Sequence, residues 1–73
     1  MSKNWSLAYT TTLDYRAQMI KDLLKDHDVE VAIINKKDSA YVLVGEIEIY
    51  VLHEKLITAK HLIKSFLENE KSD

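Results

Sequence analysis

The segment Gly45-Glu46-Ile47-Glu48-Ile49-Tyr50-Val51-Leu52 alternates between aliphatic residues and residues that are charged or aromatic. A period of two sets Ile47, Ile49 and Val51 on one face of a β-strand, with Glu46, Glu48 and Tyr50 on the other. Tyr50 and Leu52 make the second face partly apolar as well. A strand with apolar residues on both sides fits the centre of a sheet, so the rest of the chain must supply neighbours to left and right.

Working outward, Val29, Val31 and Ile33 alternate with Glu30, Ala32 and Ile34 and predict a second strand whose far end is apolar on both sides. Asn35-Lys36-Lys37-Asp38-Ser39 reads as a polar turn, and Tyr41 to Val44 as either a short hairpin arm or an ordered loop. Upstream, Leu13, Ala17, Ile20 and Leu24, with Leu23 beside them, recur at helical spacing while Asp14, Gln18, Lys21 and Lys25 fall elsewhere. This predicts an amphipathic helix opening near Leu13, with Thr11 and Asp14 as a capping box and with Tyr15 and Met19 half out on its flank. With the only glycine at position 45, the left-handed residue that closes this helix has to be Asp28 or His27, and Asp tolerates positive φ better. Trp5 to Thr10 alternates again, placing Trp5, Leu7 and Tyr9 together on a better-buried face. Downstream, Leu56, Ala59, Ile63 and Phe66, flanked by Leu62 and Leu67, form the stripe of a second helix from about Glu54, from which Ile57 projects away; the tail 68–73 is polar and expected to fray.

A strand-helix-strand unit takes a right-handed crossover, which makes its two strands parallel and leaves a gap between them. The 47–52 strand fills that gap antiparallel to both. The expectation is an α+β fold: a two-layer, ferredoxin-like βαββα sandwich with a three-stranded antiparallel sheet and both helices on one face. Residues 1–73 make a single domain with an ordered core over about 5–67. The uncovered sheet face would carry Tyr50 and Leu52, or Ala32 and Ile34, and the first strand would be an unpaired edge. Both features point to a protein partner or to self-association.

Composition excludes several chemistries. The 73 residues contain no Cys, no Pro and one Gly, with 10 Lys plus Arg against 12 Asp plus Glu for a formal charge of −2. Disulfides, thiolate zinc sites and thiol nucleophiles are absent, and one glycine cannot build a phosphate-cradling loop. A net negative chain lacks the basic footprint of a nucleic-acid module. The longest apolar run, Ala40 to Val44, is far below the ~20 residues of a membrane span, so no membrane segment and a cytoplasmic location are expected. His53-Glu54 opens like a metalloprotease helix, but Ile57 stands where the second His is needed; no metal, no cofactor and no enzymatic activity are expected. The remaining candidate for a ligand or partner site is the loop carrying Asn35, Lys36, Lys37, Asp38, Ser39 and Tyr41.

As an ordered set, Tyr9-Thr10-Thr11, Ala17, Ile20, Leu23-Leu24, Val29, Asn35, Gly45-Glu46-Ile47-Glu48-Ile49-Tyr50-Val51, Ala59 and Ile63 resemble a small bacterial family described as prokaryotic signal-transducing proteins and grouped with the nitrogen-regulatory PII (GlnB-like) superfamily. The resemblance covers about Trp5 to Leu67. Asp28 departs from it where a helix-ending Gly is common, and Leu52 where a Pro often follows the strand. It implies a βαββα relative of the PII unit, whose loop between strands two and three reaches toward partner proteins. No PII nucleotide motif can be matched residue by residue. The expected role is a small regulatory domain acting by protein contact, or alternatively a sensor binding a nucleotide or metabolite near that loop.

Overall fold

In the computed structural model, which describes residues 4–36 and 46–71, the strand β3 (Ile47–Leu52) lies between β1 (Trp5–Thr11) and β2 (Val31–Asn35) and is antiparallel to both. Helix α1 (Asp14–Asp26) connects β1 to β2, and a 3-10 turn at His53–Lys55 leads from β3 into α2 (Leu56–Lys71). The fold is α+β, and its strand order is compatible with a ferredoxin-like class.

One apolar cluster holds the layers together. Ala17, Ile20 and Leu24 of α1 and Ala59 and Ile63 of α2 close with Val29 on Ile47, Ile49 and Val51, the same face of β3. Ile20, Leu24, Ile49 and Val51 are fully buried, each contributing about 1.5–3 kcal/mol by leaving water. The alternation read in β3 is the alternation observed: its residues are by turns buried and half-buried.

The structure departs from the sequence pattern at several places. An irregularity in the β1–β3 register between Leu7 and Tyr9 inserts Ala8 as a bulge. An extra residue inverts the phase of a strand. Tyr9 pairs with Ile49 on the helix side, whereas Trp5 and Leu7 pair with Leu52 and Tyr50 on the opposite face and are exposed. Val29 is buried but precedes the strand, its N–H donating to the Leu24 carbonyl at 2.9 Å, and Asn35 is the last strand residue rather than part of the turn. The residue at the start of the helix is Leu13 rather than Thr11, and Thr11 Oγ1 accepts from the Leu13 N–H at 3.1 Å, ahead of the helix. The second helix begins two positions later than expected, after the 3-10 turn, and extends through the polar tail to Lys71.

The end of α1 follows expectation. Asp28 has φ 61°, and its N–H donates to the Lys25 carbonyl at 3.0 Å while Val29 bonds Leu24. This pair of bonds is the Schellman closure, and its usual apolar contact is supplied by Val29 and Leu24, both in the core. Ile57 is 85% exposed, as its position off the stripe requires.

Candidate functional site

Register partners in a sheet share a face. Trp5 with Leu52, Leu7 and Ala32 with Tyr50, and Thr10 and Ile34 with Glu48 therefore lie together on the side of the sheet away from the core. Both pairs expected there are present, Tyr50 with Leu52 and Ala32 with Ile34, and the bulge at Ala8 adds Trp5 and Leu7. Trp5, Leu7 and Ile34 are 40%, 43% and 48% exposed. The result is an apolar face spread across all strands, its polar groups gathered at the Thr10 and Glu48 end.

Those polar groups neutralise one another. Tyr50 donates its O–H to Glu48 Oε1 at 2.9 Å, and Lys36 Nζ stands 3.1 Å from Glu48 Oε2. The carboxylate is held below its ordinary pKa by the Tyr50 hydrogen bond and then by Lys36. In return, hydrogen bonding to Glu48 raises the pKa of both Tyr50 and Lys36. An anion with both oxygens occupied and its basicity lowered is poorly suited to accept a proton from a substrate. Its effect is instead to set a neutral, ordered polar margin beside apolar surface.

Of the loop residues expected to form a site, Lys37, Asp38, Ser39 and Tyr41 lie outside the described residues. Asn35 ends β2 on the helix side, opposite Ile47, and Lys36 turns to the open face, so these two do not converge on one point. Sequence reasoning missed Arg16, which joins the start of α1 to the end of α2 through Glu70 at 3.0 Å. Hydrogen bonding to Tyr9, then Tyr15, raises its pKa, while its Nε is shielded from solvent with no hydrogen-bond partner among the described residues. Its spacing from Leu13 and Ile20, on the flank of the stripe, is the signal that places it there. Ser6 Oγ and His53 Nδ1 are 2.8 Å apart at the other end of β1. The His27 Nδ1–H donates to the Leu23 carbonyl at 3.0 Å, which gives that ring a role in closing α1.

Surface concavities lie beside the sheet, among them one of about 520 Å³ lined by Tyr9, Arg16, Leu67 and Glu70. One of about 410 Å³ lies between β1 and α2 over Ala8, Tyr9, Ile63 and Leu67, with Lys60 and Lys64 on its rim. Another of about 600 Å³ lies below Val29 and Leu52, where Lys21, Lys25 and Lys55 are offset by Asp28 and Glu30. Among the described residues no group of His, Asp and Glu is arranged to hold a metal ion, and no helix is long and apolar enough to cross a membrane.

Comparison with family models, with curated proteins and with solved structures finds no significant match to this chain.

Proposed function

We propose that this is a non-enzymatic regulatory or adaptor domain that works by binding another protein through the open face of its sheet. The observation that carries the reading is the arrangement of Trp5, Leu7, Ala32, Ile34, Tyr50 and Leu52 on one side of three strands, with three of them at least 40% exposed. Contiguous apolar surface of this kind is usually an interface. Because Lys36 and Glu48 cancel locally, the partner surface is apolar rather than strongly charged, and binding depends little on salt. The signalling role is supported by the sequence resemblance to the PII-related family.

A photo-crosslinking residue introduced at Leu7, with one at Ile57 as the exposed control on α2, tests this in cells. The reading expects discrete adducts from position 7 that disappear with Trp5→Lys and that position 57 does not give. Identical adduct patterns from the two positions, or none from position 7, would overturn it.

A further inference from the structure

We propose that a second copy of this chain adds to the outer edge of β2, antiparallel and about a two-fold axis through Ile33, to form a continuous six-stranded sheet. The surface is distinct from the open face, and the inference does not depend on what docks there.

The backbone shows which groups the edge offers. The Lys36 N–H donates inward to the Glu46 carbonyl at 2.8 Å. In an antiparallel ladder successive residues turn their N–H and C=O alternately inward and outward, so Ala32 and Ile34 bond β3 while Val31 and Ile33 present theirs to the outside. Among the described residues no strand lies beyond β2. The two edges of the sheet differ. That of β1 is broken by the bulge at Ala8, a common protection against pairing, whereas β2 keeps an unshifted register with β3 from Val31 to Asn35. The β2 edge also exposes Ile33 (39%) and Ile34 (48%), with no Pro and no charge inside the strand.

The identity of the occupant follows from the sequence around the axis. Centring the pair on Ile33 sets Ile33 against itself and Ala32 against Ile34 of the second copy, a small residue against a large one. Just beyond the two ends of the paired strands it brings Glu30 near Lys36 of the second copy, twice. Segment 30–36, Glu-Val-Ala-Ile-Ile-Asn-Lys, is therefore its own complement in charge and in size. Lys36 can keep Glu48 while facing Glu30, since Glu48 lies on the adjacent strand and the ammonium has several donors. The two open faces then join on one side into a single apolar surface.

The chain has no cysteine, so single thiols report the register. Residues facing each other in a hydrogen-bonded antiparallel pair stand about 5.5 Å apart at Cα, within disulfide reach. Under mild oxidation Ile33→Cys is expected to form a covalent dimer much faster than Val31→Cys or Ile57→Cys. Sedimentation of the cysteine-free chain up to about 1 mM, the weak end of specific association, is expected to show a dimer. Glu30→Lys should weaken it at least about tenfold by opposing like charges, E30K/K36E should restore it, and a mixture of Glu30→Lys and Lys36→Glu chains should form the heterodimer. Leu7→Lys, on the open face, should leave dimerisation unchanged. A monomer throughout that range, a dimer indifferent to Glu30→Lys, or equal crosslinking from positions 31 and 33 would each overturn the proposal; pairing only with a different protein would do the same.

Discussion

Replacing Asp28 by Gly and by Ala should move stability in opposite directions. Asp28 closes α1 at φ 61°, with its own N–H bonded to Lys25 and the next N–H bonded to Leu24. A side chain at this conformation brings Cβ against the backbone carbonyl, a cost of about 1–2 kcal/mol for an ordinary L-residue, and less for Asp, whose short polar group is tolerated there. Its carboxylate also sits at the negative end of a helix dipole, for a further ~0.3 kcal/mol against it. Glycine removes both terms and gives back roughly 0.5–1 kcal/mol through greater freedom in the unfolded chain. The net expectation is a gain of about 0.5 kcal/mol for Asp28→Gly. Asp28→Ala keeps Cβ and loses the polar compensation but also sheds the dipole penalty, so it should lose up to about 0.5 kcal/mol. Urea unfolding followed by far-UV circular dichroism resolves this, because a slope of ~1 kcal/mol/M for a chain of this size turns the difference into roughly 0.5–1 M between the two midpoints. An Ala variant as stable as the Gly variant would refute the assignment of strain to this residue.

Three other outcomes follow from the same structure. Ile49→Ala, at the centre of β3 with no exposed surface, should cost about 2–5 kcal/mol, while Ile57→Ala should stay within about 0.5 kcal/mol, as read from thermal or urea midpoints. The lowered pKa of Glu48 gives stability that is present above the unfolded glutamate value of about 4.3 and is lost as pH falls through the lower folded value, so Glu48→Gln should flatten the acid limb of stability against pH. Tyr50 and Lys36, both raised, act with the opposite sign: their contribution is present below their unfolded values near 10, and it is lost as pH rises through the folded ones, so Tyr50→Phe should flatten the alkaline limb.

What could be read in the sequence was whatever repeats with a fixed period. The 47–52 strand carries an unbroken alternation, and from it the central position, the two antiparallel neighbours and the partly apolar second face all follow. The helix stripes are visible for the same reason, down to the projection of Ile57, and the lack of a glycine near the helix end narrows the left-handed residue to Asp28 or His27, of which Asp28, the more tolerant of positive φ, takes it. Periodicity fails where the chain adds a residue. Trp5, Leu7 and Tyr9 look like one face, but Ala8 takes two β1 positions past one on β3, and the open face acquires its most exposed aromatic residue as a result. Ends were also poorly encoded: the 3-10 turn after Leu52 opens where the His53 N–H donates to the Asn4 carbonyl, and the far end of α2 carries the Arg16–Glu70 pair, contacts between distant residues that no local pattern announces. Of the candidate loop, Asn35 is still a strand residue facing the helix side opposite Ile47, while Lys36, just past the strand, reaches Glu48 on the open face; the polar composition of 35–39 hides that the strand includes Asn35.

Trp5 is the only tryptophan in the chain, and whether it faces water is the direct test of an apolar sheet face left bare by the helices. Acrylamide quenching of its fluorescence in the isolated protein should be efficient, with red-shifted emission, since the residue lies on the open face and pairing at the β2 edge leaves it uncovered. Blue-shifted emission resistant to the quencher would place Trp5 among the core residues and contradict the account.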